Sequence, residues 1–378
     1  MTLTPPWMDG IPFTITEGRA AGLSYGRMRG RSFERPFHGV RVVGSSGRID
    51  GGLIDECAAL RTVLPEGAAF SHSTAARLWN MPLPSWLSDE LHVLTPGRAE
   101  IRRPRVIGWR RATDLEIRIA DGLPVTSPAD TWVLLATMTH DRGGRLGRRW
   151  LVAIGDFLIS GTRTQYGRTR PLASAAELAQ AVHAHGSRRG ARDVRWALEH
   201  VRSPVDSPPE SFVRLGLVDA GLPEPTVQPA IRTRIGVRHP DLGYVEERVL
   251  LEYLGDVHRS DRETWLKDLQ RVQLFEDAGY RVIMLGGADL TPAGMRAVSL
   301  RVRRALSRPG DGPSAHGMPR SRRSVRSSRA LGDRGPAFRD EAGQGISTRV
   351  SVVAASTASG VKAHGVSSTF CHDSTWSM

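Results

Sequence analysis

The stretch GVRHPDLGYVEERVLLEYLG (236–255) constrains the fold more than any other part of this sequence. Its polar tip is Glu246-Glu247, flanked on both sides by residues that favour extended chain. A hairpin with an even loop centred on that tip sets Val245 opposite Arg248 and, further out, Asp241 opposite Glu252. Direct cross-strand neighbours have Cβ atoms roughly 4.5–5.5 Å apart. Two carboxylates then meet beside Leu242 on one strand and Val249-Leu250-Leu251 on the other. Like charges opposed on a half-buried sheet must take up a proton, a cationic partner or a metal ion. Hard carboxylate oxygens suit Mg²⁺ or Mn²⁺, and a divalent ion can activate water and stabilise a phosphoryl transition state. The alternatives are an ion pair with Arg238 or Arg248, or another register, because Glu-Glu lacks the Gly or Asn of a type I′ turn. The metal reading is preferred: His239 faces Leu254 in the same register, and His258 follows Gly255-Asp256-Val257, so imidazoles flank the acids.

The surrounding pattern reads αβββαβα. Ser207-Pro208-Pro209-Glu210 opens a helix that runs to about Ala220 and stops at Gly221. Strands are expected at about 226–233, 236–245 and 248–255. Ser260 and Glu263 cap a longer helix, with Trp265, Leu269, Val272 and Phe275 along its apolar face. Tyr280 to Leu285 reads as a strand. A last helix over 292–307 ends in arginines, which suit a helix C-terminus.

A length of 378 residues suggests two or three domains. From about Arg308 the chain turns to Ser, Gly, Arg and Ala without sustained period. Residues 308–378 hold ten cations against five acids and too little apolar surface to offset chain entropy, so a disordered basic tail is expected. Its run RSRRSVRSSR (320–329) reads as a solvated basic stretch. Further breaks fall at SGTRTQYGRTRP (160–172 region) and SPVDSPP (203–209). Ordered segments are therefore expected over 10–50, 55–200 and 205–307, giving an α/β chain that is α+β overall.

In the first segment Thr14 and Glu17 have capping-box spacing and open a short helix that ends near Gly22. Ser24 caps a second, Tyr25 to Arg31, and Arg35-Pro36 turns into a strand from Phe37 to Val43. Helix, tight turn, helix and strand pair is the outline of a winged helix-turn-helix. Residues 18–41 hold six arginines and one acid. Arg27, Arg29, Arg31 and Arg35 are the candidate DNA contacts, with Arg41 flanking them. The alternative is a solvated basic face on a small packing module.

The second segment mixes helices and strands. Ser71 to Trp79 reads as a capped helix, Leu91 to Thr95 as a strand, and Ser127-Pro128-Ala129-Asp130 as the start of a helix carrying Trp132, Leu134, Leu135 and Met138. Arg98, Arg102, Arg103, Arg105, Arg110 and Arg111 form a second basic patch around Trp109. It reads as an arginine-rich hairpin able to hold nucleic acid, or as an ordinary exposed hairpin. His72 and His92 have no ligand-spaced partners and read as structural.

Composition excludes several classes. Lys+Arg is 52 against 39 acids, a formal net charge of +13. Only Lys267 and Lys362 are lysines, and neither precedes Ser or Thr, so there is no P-loop. An arginine-rich chain suits a phosphate polyanion. Two cysteines, Cys57 and Cys371, make neither a disulfide framework nor a multi-cysteine zinc site. No apolar run approaches the ~18 residues of a membrane span, and no secretory signal is visible at the N-terminus. A cytoplasmic protein without membrane association is expected.

Two resemblances add to these readings. PFTITEGRAAGLSYGRMRG, PFHGVRVV, FSHSTAARLWNMPLP and GLPVTSPADTW together resemble the AbiEi-type antitoxin family over roughly 10–160. That likeness implies a winged helix that binds promoter DNA, an antitoxin-like middle domain and a toxin protein as partner. SPPESFVRLGLVDAGLPEP, HPDLGYVEERVLLEYLGDVHR and WLKDLQRVQLFEDAGYRVIML resemble, over about 205–290, the endonuclease-like family related to very-short-patch-repair endonucleases. That family belongs to the PD-(D/E)XK superfamily.

By this second resemblance, Asp241 and Glu252 are the two metal-binding acids and the backbone carbonyl of Tyr253 is a third ligand. Glu210 matches a helix acid that reaches the metal through water, although it also completes a capping box with Ser207. His258 matches a proton donor or relay, and Asp268 and Arg271 match polar residues that order the site. The pattern departs at Leu254, where the superfamily has Lys and this branch often has Asp; Asp256 is a partial substitute, and Lys267 reads as a surface residue. The expected function is a Mg²⁺- or Mn²⁺-dependent DNA endonuclease with an N-terminal DNA-binding region. The alternatives are a non-enzymatic DNA-binding antitoxin or regulator with a degenerate nuclease fold, and an RNA-binding protein using the same basic patches.

Overall fold

Residues 8–44, 52–87, 89–97, 101–110, 114–138, 145–164, 166–255, 262–307 and 348–349 are described by a computed structural model. The chain is a mixed α+β protein that divides into two compact units, Met1–Leu215 with Thr348–Thr375, and Gly216–Ser347 with Trp376–Met378. Among the described residues no helix is long and apolar enough to cross a membrane.

The first unit begins with β1 (Phe13–Thr14), α1 (Ile15–Ala20), α2 (Tyr25–Met28), β2 (Phe33–Glu34) and β3 (Val40–Val43). The Thr14–Glu17 capping box forms, and Ser24 Oγ accepts from the amide of Arg27 to start α2. Gly22 turns the chain between the helices at φ +85°. β3 lies between β1 and β2, both antiparallel to it. Met8, Phe13, Leu23, Met28 and Phe33 fill a small core beneath. α2 is shorter than expected, with Arg29 as its C-cap and Arg31 beyond it.

The unit continues through α3 (Leu53–Arg61), β4 (Ala69–Phe70), α4 (His72–Leu78), β5 (Leu83–Pro84), β6 (Leu91–Thr95), β7 (Val106–Arg110), β8 (Ile117–Ala120) and β9 (Leu123–Thr126). Five of these strands form one sheet in the order β7-β6-β4-β9-β8. β6 and β7 run parallel, with Leu94 opposite Trp109, so the expected arginine-rich hairpin is a crossover instead. Helices α5 (Pro128–Leu135), α6 (Arg148–Ser160), α7 (Ala175–His185) and α8 (Ala191–His200) follow, with the short hairpin β10 (Arg163–Thr164) and β11 (Gly167–Arg168) after α6. Trp132 on α5 is fully buried, and its Nε1 donates to the Leu151 carbonyl at 2.8 Å.

The boundary between the units falls inside α9 (Pro208–Asp219). Beyond it come β12 (Thr226–Val227), β13 (Ile231–Thr233), β14 (Gly236–Arg238), β15 (Leu242–Tyr244), β16 (Val249–Tyr253), α10 (Arg262–Asp277), β17 (Arg281–Leu285), a 3₁₀ turn (Gly287–Leu290) and α11 (Pro292–Leu306). The expected three strands before α10 are five. Gln228 takes a left-handed φ of +44° before Pro229, and Pro240 has no amide to donate, so each of the first two expected strands breaks. The inner pieces, β13 and β14, pair with each other, while the outer pieces join the sheet β12-β15-β16-β17. β16 and β17 are parallel, as an intervening helix requires. Ile231, Leu250 and Phe275 form a buried cluster between the β13 strand, the sheet and α10. Leu269 is 38 % exposed and lies off the apolar face expected for α10, whereas Leu274 is buried there.

Of the tail only β18 (Thr348–Arg349) is described, paired antiparallel with Leu83–Pro84; the rest of the stretch expected to be disordered lies outside the described residues.

Candidate active site

The hairpin of β15 and β16 sets the register of the candidate site. Tyr244 faces Val249, Gly243 faces Leu250 and Leu242 faces Leu251, and the Arg248 amide closes the turn on the Val245 carbonyl at 3.3 Å. One step further out, Asp241 meets the 252–253 end of β16: its Oδ2 accepts from the Tyr253 amide at 2.7 Å. The Asp241 carbonyl accepts from the Gln228 amide at 3.0 Å, so the turn at Gln228 anchors this end of the strand.

Glu252 sits in the buried strand β16 and is only 5 % exposed. Burial pushes its carboxyl up first, to about 8, and the Asp241 carboxylate adds to the rise. Asp268 pushes in the same direction, while Arg271 opposes both. Arg271 Nε lies 3.2 and 3.3 Å from the two Glu252 oxygens, and Nη2 lies 3.2 Å from Oε1. The same guanidinium donates to the His239 carbonyl and covers the Phe275 ring at 5.4 Å. Asp268 and Arg271 stand one turn apart on α10, on neighbouring positions of one helix face. The cation on Glu252 is therefore Arg271. Arg238 donates instead to the Val237 carbonyl, and Arg248 lies over Tyr280.

The Nδ1 of His239 is held at the preceding turn, where it donates to the Gln228 carbonyl at 3.1 Å. His258, Asp256 and Ser260 lie outside the described residues. Leu254 continues β16, with its amide on the Leu285 carbonyl. Glu210 belongs to the first unit. It is 4 % exposed and accepts from the Ser207 hydroxyl at 2.8 Å and the Asp206 amide at 3.1 Å, the contacts of a helix-start acid. Lys267 is exposed.

Among the described residues no group of three or more His, Cys, Asp or Glu side chains lies close enough to hold a metal ion. The candidate donor set is therefore Asp241 and Glu252. A buried acid raised by a second acid marks a place short of positive charge, and Mg²⁺ commonly binds through one or two carboxylates and keeps several waters. On that ground the two acids fit a hard divalent ion, with Arg271 as a competing counter-charge.

The candidate DNA contacts of the first unit lie partly together. Arg29, Arg31 and Arg35 are exposed and Arg27 is half-buried. Arg29 lies over the Tyr25 ring at 5.8 Å, and its carbonyl accepts from Arg35. Arg41 has a different role: it is 6 % exposed and clamps the module by donating to the Met28 and Val40 carbonyls at 2.8 and 2.7 Å.

The second basic patch is rearranged. Arg98 and Arg111 lie outside the described residues. Trp109 stacks on His72 at 4.2 Å and donates its indole N–H to His92 Nδ1 at 2.8 Å. His72 also meets the Ser71 hydroxyl at 2.9 Å, so Ser71 does not cap α4 with its side chain. Burial holds His72 down near 3, with His92 next in effect, and holds His92 near 4, with Arg77 next. Two lone histidines carry no ligand spacing in sequence; the sheet and the start of α4 bring them together. No family model, curated protein or solved structure matches the chain.

Proposed function

We infer that this protein is a divalent-metal-dependent phosphodiester hydrolase acting on DNA, with an N-terminal winged-helix region that engages the duplex. The observation that carries this reading is the buried Glu252 held beside Asp241 on adjoining strands. Asp241 and Glu252 would hold Mg²⁺ or Mn²⁺, with the Tyr253 carbonyl as a further donor. When bound, such an ion lowers the pKa of water and offsets charge on the phosphoryl oxygens. Arg271 and Asp268 would orient Glu252. His258 would protonate the leaving oxygen, while Glu210 keeps its helix-start contacts within the first unit. Arg27, Arg29, Arg31 and Arg35 would fork onto phosphates and fix the position of the duplex without reading its bases.

Two observations favour a second reading, a non-enzymatic DNA-binding regulator of antitoxin type with a toxin protein as partner. Arg271 already lies against Glu252 at 3.2 Å, where a metal would sit, and Leu254 stands where the resembled superfamily has a charge.

Calorimetric titration of MgCl₂ and MnCl₂ into the full chain, beside plasmid nicking assays, separates the two. Saturable binding and metal-dependent nicking are expected for the wild type, and both are lost in Asp241→Ala/Glu252→Ala. A folded wild type that binds neither metal, even with DNA present, overturns the hydrolase reading and leaves the regulator.

A further inference from the structure

A half-open cavity of about 900 Å³ lies within the first unit, between the turn at 35–38 and the crossover at 101–105. Arg35, Arg102, Arg103 and Arg105 line it, and the exposed His38 stands among them. Among the described residues the one acid in the lining is Glu56, which pairs with Arg105 at 3.2 Å. Among the described residues the lining carries four guanidinium groups and one carboxylate. Arg35 donates to the Arg29 carbonyl, and Arg103 donates to the His38 carbonyl at 3.0 Å. A carbonyl orients a guanidinium without cancelling its charge, so these two forks are held in place and remain cationic.

The rest of the wall is apolar. Phe37, Val63, Leu64 and Ile101 contribute to it, with prolines at 36, 65 and 104. These residues are far apart in sequence, and the aromatic expected to serve this patch, Trp109, is turned away onto His72. Phe37 takes its place in the lining. Small-molecule sites commonly fall within ~300–1,000 Å³ and combine an apolar wall with a few fixed polar groups. Fixed guanidinium forks match phosphate oxygens, and a flat heterocycle suits an aromatic and aliphatic wall.

We propose that this cavity binds a nucleotide, with its phosphates on Arg35, Arg102, Arg103 and Arg105 and its base against Phe37, Leu64 and Ile101. The ligand is either a free nucleoside polyphosphate or one nucleotide of a single strand, since both present the same chemistry. The site is independent of the carboxylates in the second unit and shares only Arg35 with the proposed duplex contact, so Arg102 and Arg105, which that reading does not use, carry the test.

The test is calorimetry and fluorescence anisotropy on the full chain, with ATP and a labelled single-stranded oligonucleotide as probes. Wild type, Arg102→Gln/Arg105→Gln and Arg192→Gln are compared. Arg192 is exposed on α8 and lies outside the cavity lining and both basic patches. One saturable site is expected, weakened about tenfold or more in the double variant and unchanged in Arg192→Gln. ATP binding identifies the free nucleotide; oligonucleotide binding alone, with the same dependence on Arg102 and Arg105, identifies the strand. Where the double variant unfolds, Arg102→Gln alone repeats the comparison at an exposed position. Absence of saturable binding by either probe overturns the proposal. Equal weakening by Arg192→Gln overturns it too, because it reports general charge attraction. Asp241→Ala/Glu252→Ala is expected to keep this binding whatever its effect on metal.

Discussion

Three histidine and tryptophan rings in the first unit show how burial alone sets a residue's chemistry. His72, His92 and Trp109 pack together beneath the sheet, with His72 at 2 % exposure and a left-handed φ of +50°. Both imidazoles are held neutral, near 3 and 4, well below the ordinary histidine range of about 6.5. Below about pH 6.5 the unfolded chain takes up protons that the folded chain refuses, so the unfolded state binds more protons and stability falls with falling pH. The contribution is complete above that pH and is lost progressively toward pH 4 and then 3. Denaturant midpoints measured from pH 7 to 4 should therefore drop, and His92→Gln should drop less steeply, by about one proton of linkage. The introduced amide oxygen can still accept from the Trp109 indole, so the slope rather than the absolute stability is the readout. Equal slopes for the two proteins would mean that His92 is not held neutral. Glu252 is shifted by the same physics with opposite charge: burial and Asp241 favour its neutral form, and Arg271 restrains the shift.

At the scale of elements, local signals were legible and long-range pairings were not. The Thr14–Glu17 capping box, the Ser24 cap, the Ser127-Pro128 helix start and the glycine stop at Gly221 are all contacts within a few residues, and they form as the spacing implies. The register of β15 on β16 is also local: of the registers the Glu246-Glu247 tip allowed, the even loop centred on it is the one that forms. That register sets Asp241 at the level of Glu252 from local contacts alone, and the Tyr253 amide then holds its carboxylate. Splitting of the two preceding strands was half-legible: Pro240 marks one break, but the left-handed turn at Gln228 has no sequence signal. Parallel pairing of β6 with β7 depends on partners separated by a crossover, and the fate of Trp109 depends on it. The pairing of Arg271 with Glu252 could not be read from spacing, since it arrives on α10, nineteen positions away; only the endonuclease-like resemblance had named Arg271, as a residue that orders the site. Close approach of α1 to α2 is another contact that spacing does not announce. A Cβ at Gly18 would lie 2.5 Å from Met28 Sδ and 2.8 Å from the Phe13 ring. Both neighbours are buried, so Gly18→Ala must push the small core apart, at a cost of about 1–3 kcal/mol. Urea unfolding, together with amide exchange around Tyr25, would read this; an unchanged midpoint and exchange rate would mean that the core yields freely.

Across the first unit, helices from distant parts of the chain converge on one buried acid. Asp156 lies on α6 with no exposure, and its Oδ2 accepts from the Ser211 hydroxyl at 2.6 Å and from Arg214 Nη2 at 2.9 Å, both on α9. Its Oδ1 accepts from the Arg202 amide at 2.6 Å, and Arg214 also donates to the His200 carbonyl at the end of α8. Burial pushes the Asp156 carboxyl up, while Arg214 and the three hydrogen bonds pull it back. The sequence carries a faint trace of this hub, an isolated acid on the apolar face of RRWLVAIGDFLIS. An ion pair at 1 % and 0 % side-chain exposure gains little over a well-packed apolar pair, but removing one partner strands the other charge. Asp156→Ala should therefore cost about 3–5 kcal/mol, leaving Arg214 buried without its carboxylate. Asp156→Leu/Arg214→Met should recover much of that loss, because it removes both charges and fills their volume. Denaturant unfolding of the three proteins at pH 7 gives the comparison. A double variant no more stable than Asp156→Ala would locate the loss in the Ser211 and Arg202 hydrogen bonds and not in the ion pair. A single variant within about 1 kcal/mol of wild type would mean that water reaches Arg214, and that this junction of α6, α8 and α9 is open rather than sealed.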